Sequence, residues 1–142
     1  MVPSDWQLCR MHSFIIGAYR IEQKSFKNPM SLPDWRKLVS DRRSFGRVVR
    51  IDHGDVVGYC LYRIHKRTIG IERIAVDPIW QGQGAGHMMI TDLKRRCVGE
   101  IRRSIHIDIN DDIPIDSLVA FRAWGFTSRK IENQIRYLWV PK

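Results

Sequence analysis

The sequence predicts an α/β (α+β) fold, a mixed and mostly antiparallel sheet flanked by helices, and three observations carry that expectation. A glycine-rich turn joins a β-prone run to a helical apolar pattern within residues 71–96. A period-two pattern runs almost unbroken over residues 47–76. Clean alternation then returns at Ser104–Ile109 and in two short runs after Phe126. With 142 residues, 44% of them hydrophobic and 27% charged, the chain is long enough to bury a real core, and we expect one domain over 1–142.

Taken in order, residues 5–25 predict a helix. Leu8, Met11, Ile15, Ala18, Tyr19 and Glu22 recur at helical spacing, with Ser4 or Asp5 as N-cap. Residues 27–33 contain Pro29 and Pro33 and read as a loop, after which Asp34 caps a short helix to about Asp41. Residues 48–51 and 56–64 form a hairpin turning at Asp52, His53, Gly54 and Asp55. Lys66 and Arg67 turn the chain into a strand over 68–76 that Pro78 ends by removing a donor. A helix follows over about 85–98, its apolar face begun by Met88, Met89, Ile90 and Leu93. After the strand 104–109, Asp111, Asp112 and Pro114 open a last helix from Ile115 to about Trp124. Gly125 is placed to cap it, and a hairpin over 126–140 turns near Glu132 and Asn133.

The glycine-rich turn is the chemically informative stretch. Gly82, Gly84 and Gly86 precede a helix, where free backbone N–H groups face outward and the missing Cβ atoms let an anion approach. A phosphate suits such a loop. The dinucleotide pattern G-x-G-x-x-G fails, because its third glycine falls on His87 or Met89, and no Gly-Lys-Ser/Thr follows as a P-loop requires. The residues Gln81-Gly82-Gln83-Gly84-Ala85-Gly86, led by Ala75-Val76-Asp77-Pro78-Ile79-Trp80, resemble motif A of the GNAT acyltransferases, Gln/Arg-x-x-Gly-x-Gly/Ala. The element order over nearly the whole chain is also the one expected of that family, although its first strand is hard to find before residue 5.

The resemblance implies acetyl-CoA as cosubstrate. Its pantetheine arm would pair with the backbone of Ile74, Ala75 and Val76 like an added strand, and Gln81, Gly82, Gln83, Gly84, Ala85, Gly86 and His87 would wrap the pyrophosphate. It implies no metal. Transfer to an amine also needs a base for the ammonium proton and is helped by an acid for the leaving thiolate. Glu72 is the first candidate base, on the strand face of position 70, where some relatives carry a catalytic glutamate and this chain has Gly70. Asp108 is the second, within one residue of a glutamate kept by relatives that acetylate protein N-termini, and His106 shares its face. The family's acid tyrosine is absent, since Phe121 stands at that place; either a water, Tyr137 or Tyr62 substitutes, or the thiolate leaves without an acid.

Glu22-Gln23-Lys24-Ser25-Phe26, followed by Pro29-Met30-Ser31, is similar to a segment of the ribosomal-protein N-terminal acetyltransferase branch, with Met30 in place of its tryptophan. That likeness implies a peptide α-amine as acceptor, with Phe26 plugged into the core. A small amine, an aminoacyl-tRNA, or a CoA-binding module without turnover are the rival readings. The net charge of +9 allows ribosome or RNA proximity, although the basic residues are scattered and form no long tract. No run approaches the roughly 18 apolar residues of a membrane span. Cys9, Cys60 and Cys97 are odd in number and lack metal-like spacing, so a reducing, cytoplasmic setting is expected, with Cys60 and Cys97 as buried thiols.

Overall fold

Seven strands make one sheet in the order β1-β2-β3-β4-β5-β7-β6. The strands are β1 (Trp6–Arg10), β2 (Ser44–Ile51), β3 (Val56–His65), β4 (Thr68–Val76), β5 (Ser104–Ile109), β6 (Thr127–Ile131) and β7 (Gln134–Trp139). The helices are α1 (Ile15–Ser25), α2 (Leu32–Ser40), α3 (Ala85–Gly99) and α4 (Ile115–Ala123). The computed structural model describes residues 6–51, 54–109 and 115–142, with 115–118 by backbone alone. Ser4, Asp5, Asp52, His53, Asn110, Asp111, Asp112 and Pro114 lie outside the described residues, and the expectations placed on them lie there too.

β2–β3, β3–β4 and β6–β7 are antiparallel hairpins, β1–β2 and β5–β7 are antiparallel across longer connections, and β4 and β5 are parallel, because α3 crosses over between them. α3 buries Met89, Ile90, Leu93 and Cys97 on one sheet face, together with Ile69, Ile71, Ile105, Ile107 and Phe121. Each such fully buried aliphatic side chain stabilises the fold by about 1.5–3 kcal/mol. α1 and α2 cover the other face over Val48, Tyr59 and Leu61, with Trp35 fully buried beneath them. Phe26 is buried as expected, and so are Cys60 and Cys97.

Two sequence expectations are corrected. Residues 6–10 are a strand, and the helix begins only at Ile15, after a 3-10 turn over Met11–Ser13. Leu8 and Met11 suit a helical stripe, but Trp6 through Arg10 pair in register with Ile51 through Arg47, and tertiary pairing overrides local periodicity. The first strand of the family pattern is therefore present, and it covers the edge of β2. α2 starts two residues before Asp34: Ser31 is its N-cap, accepting from Asp34 N–H at 3.3 Å. Pro33 sits in the first turn, where a missing N–H costs nothing.

Candidate active site

The site grows from a fork in the sheet. β4 and β5 pair from Thr68↔Ser104 only as far as Ile71↔Ile107, and among the described residues no pairing continues beyond that rung. From Ile74 to Val76, the β5-facing edge of β4 therefore offers backbone groups that no strand among the described residues uses. A β-bulge lies at the same point: Tyr62 faces Ile71 and Leu61 faces Arg73, which leaves Glu72 as the extra residue. The bulge re-aims Arg73, which would otherwise follow Ile69 and Ile71 toward α3, onto the face covered by α1.

On the α3 side the fork opens into a cleft of about 590 Å³. Ile74, Ala75 and Val76 form one wall; Gln81, Gly82, Gly84, Ala85, Gly86 and His87 form its end. Gln83, also expected here, is exposed on the loop and does not line the cleft. Asp77 shapes the approach. Its buried carboxylate accepts from Ile79 N–H at 3.2 Å and pairs with Lys24 at 3.1 Å, fixing the 3-10 turn Pro78–Trp80. Gly82 (φ +78°) and Gly84 (φ +100°) take left-handed backbone that L side chains resist. Gly86 answers a different need, because a Cβ there would stand 2.7 Å from the Trp124 ring. Gly84 is the N-cap of α3 and no side chain caps the helix, so its first N–H groups face the cleft end as a ready anion site. Among the described residues, His87 is the sole ionisable group lining the cleft, and no lysine or arginine lines it.

α4 supplies the remaining wall with Ala120, Phe121, Ala123 and Trp124. Phe121 is buried in an aromatic cluster with Trp124, Phe126 and Tyr137, at ring separations of 5.4, 5.4 and 5.7 Å. Tyr137 thus touches the wall from behind and is buried, whereas Tyr62 is stacked on Phe45 in a separate pocket with Arg47. Burial pushes the Tyr62 hydroxyl pKa up.

The opposite face of the fork is polar. Glu72 and Asp108 each lie one residue past the last β4–β5 rung, so the structure brings the two candidate carboxylates to the two lips of the fork. They differ in their partners. Asp108 is gripped by Arg136 through two bonds of 2.7 and 3.0 Å, which hold its carboxyl below the ordinary aspartate range. Glu72 is exposed and meets Arg63 at 3.4 Å, while Arg63 also pairs with Asp41 at 3.1 Å. His106 lies beside Gly70, and its ring centroid is 6.1 Å from that of His65. A Cβ at Gly70 would stand 3.1 Å from both imidazoles, so they occupy the volume a side chain at position 70 would need. Burial, then the Arg136 charge, pushes the His106 pKa down.

One cluster beside the site is built around Glu22, the first residue of the Glu22–Ser31 segment singled out in the sequence. Glu22 is fully buried; Tyr59 donates to Oε1, Arg73 grips both oxygens, and Met30 N–H donates to Oε2 at 2.8 Å. Burial alone would raise this carboxyl, yet these hydrogen bonds outweigh it and hold the pKa below the ordinary glutamate value. Arg73 also lies over the Phe26 ring at 3.9 Å. The cluster fastens the α1–α2 loop to the bulge of β4. Besides that segment, its sequence signal is a carboxylate on the apolar stripe of α1, beside Ala18 and Ile21.

The family model described as Acetyltransferase (GNAT) family matches residues 11–116. Among curated proteins, none matches the sequence. Among solved structures, the chain is similar to the ribosomal-protein-S18-alanine N-acetyltransferase of Escherichia coli, with a TM-score of 0.79 and 15% identity over 94% of this chain and 90% of that one. An acetyltransferase of Thermus thermophilus matches with a TM-score of 0.76 and 17% identity over 99% and 100% of the two chains. A GNAT-family acetyltransferase of Elizabethkingia anophelis with acetyl-CoA bound matches with a TM-score of 0.74 and 11% identity over 98% and 100%.

Proposed function

We infer the chemistry from one premise, that the chain belongs to the acetyltransferase (GNAT) family: it moves an acetyl group from acetyl-CoA to a primary amine by direct attack. The fork carries this reading. A cosubstrate with a hydrogen-bonding arm and a pyrophosphate needs an unpaired strand edge that runs into a helix N-terminus, and Ile74–Val76 followed by Gly82–His87 supplies both in one cleft. The bound relative from Elizabethkingia anophelis supports acetyl-CoA as that donor.

The acceptor nitrogen must reach the thioester as a neutral amine. Glu72, on the lip of the fork, takes the ammonium proton, directly or through water. Asp108, kept ionised by Arg136, is a weak base and instead attracts and orients the ammonium. The amine nitrogen then bonds to the carbonyl carbon, the C–S bond breaks, and CoA leaves as a thiolate that takes its proton from water. Phe121 gives no proton. The favoured acceptor is a protein N-terminal α-amine. Its support is the Glu22–Ser31 segment, which the Glu22 cluster holds at the polar face, and the alanine N-acetyltransferase named among the similar folds. Phe121 favours one second reading, a CoA-binding module with feeble turnover.

Intact-mass assay of acetyl transfer to short peptides tests the proposal, with N-blocked, lysine-containing copies as controls. Acetylation of free N-termini alone is the expected result. Modification of the blocked peptides would move the acceptor to lysine. No transfer, with acetyl-CoA still raising the melting temperature, would favour the binding module.

A further inference from the structure

At the end of β4 remote from the glycine loop, the fold keeps two residues in backbone it would more cheaply give to glycine or asparagine. α3 ends with Ile101 N–H bonded to Val98 carbonyl at 3.2 Å and Arg102 N–H to Cys97 carbonyl at 2.7 Å. That bond pair is a Schellman cap, whose left-handed residue is usually glycine. Here it is Ile101 at φ +56°, a β-branched residue in a region that its Cβ opposes. Its side chain is 85% exposed, so burial does not compensate, and Val98 beside it is 60% exposed. The β3–β4 turn repeats the pattern, with Lys66 at φ +40° in a two-residue loop that favours Asn-Gly.

The cap and the turn are one unit. The Arg102 guanidinium donates to the Lys66 carbonyl and to Glu100 at 3.2 Å, and Arg103 N–H donates to the Arg67 carbonyl. Lys66, Arg67 and Arg103 are exposed and, with His65 and Thr68, line a shallow concavity of about 690 Å³. None of this charge can serve the donor cleft, because the nine residues of β4 separate the two ends by about 30 Å.

We propose that this corner docks a partner protein through an acidic segment that carries an aliphatic side chain. Carboxylates of the partner meet Lys66, Arg67 and Arg103 in the concavity, and its aliphatic residue packs on Ile101 and Val98 beside it, joined to the turn by the Arg102–Lys66 bond. Charge complementarity selects this occupant. A second copy of the chain meeting through the same patch would set these cations against themselves. A nucleic acid would use the cations but press phosphates onto the exposed apolar side chains of Ile101 and Val98. Docking here leaves the cleft and both lips of the fork open.

The test measures fluorescence anisotropy of a synthetic peptide with leucines set among glutamates, against a copy with serine for leucine and an RNA hairpin. The leucine peptide binds the wild-type protein, and Ile101→Gly weakens it by about tenfold or more. The paired reversal Lys66→Glu/Arg67→Glu does the same, and the serine peptide binds as poorly. Ile101→Gly leaves the melting temperature unchanged or raised, and acetyl-CoA binding is untouched in both variants. Four results would overturn the proposal: leucine-peptide binding that is absent or indifferent to Ile101; an RNA hairpin preferred over the peptide; a melting temperature that falls in Ile101→Gly, making the side chain structural; or sedimentation showing a dimer that this substitution dissolves.

Discussion

The two sides of the β4–β5 fork are built from different materials. On the α3 side, the cleft is made of backbone groups and apolar walls, with His87 as its one ionisable lining residue among those described. On the other side, Arg63, Glu72, His106, Asp108 and Arg136 gather around the same rung. A site made from backbone tolerates side-chain change wherever φ and space permit. A site made from ionisable side chains depends on which partner holds each one. Asp108 and Glu72 occupy equivalent lips, yet Arg136 grips the first through two short bonds, whereas the second meets Arg63 through one contact of 3.4 Å.

The largest expected effect joins the two sides. Glu22→Ala leaves Arg73 and Tyr59 without their buried carboxylate and should cost about 3 kcal/mol of stability, measured by urea unfolding. Because the folded-state pKa of Glu22 is depressed, its contribution is complete above the ordinary glutamate range and is lost as pH falls through the folded value. The gap between wild type and variant should therefore close on acidification. A constant gap would mean that lost packing, not the carboxylate, is responsible.

Next come the glycines of the cleft. Gly86→Ala pushes a methyl into Trp124 and should cost about 1–3 kcal/mol, with weaker acetyl-CoA binding by calorimetry. Gly82→Ala meets nothing within 4 Å, so it carries only the left-handed strain, about 1–2 kcal/mol. Equal losses of affinity in the two variants would break the distinction between packing glycine and turn glycine. On the polar side, Arg136→Ala removes the grip on Asp108, whose pKa should rise in a carboxyl NMR titration, and the acid limb of kcat/KM should move to higher pH with it. An unmoved titration would sever Asp108 from Arg136. Smallest of all, Phe121→Tyr should change turnover by less than about threefold, since its ring is packed among Trp124, Phe126 and Tyr137 rather than aimed at a leaving group. A large gain would mean that a missing acid limits the reaction.

The backbone side of the fork was legible because its signals are local: Gly82 and Gly84 accept the left-handed backbone of turn and cap, and Pro78 lacks the N–H to continue the strand. β3, β4 and β5 were legible by alternation. β1 was not, because Leu8 and Met11 satisfy a helical period as well, and only pairing with β2 settles five residues into a strand. Glu72 and Asp108 were visible as residue types on one face. Their unequal character was not, since Arg136 lies 28 residues from Asp108 and meets it only through β7. The bulge that turns Arg73 onto Glu22 is likewise a property of two strands in register, invisible in either alone.

The most direct measurement of this division of labour is Glu72→Gln, assayed twice: acetyl-CoA affinity by calorimetry, and acetyl transfer to a free-N-terminus peptide by intact mass. The expected result is affinity within about twofold of wild type and transfer slowed by about a hundredfold. If affinity and transfer fall together, or if neither changes, the two faces of the fork do not divide donor binding from proton transfer as described.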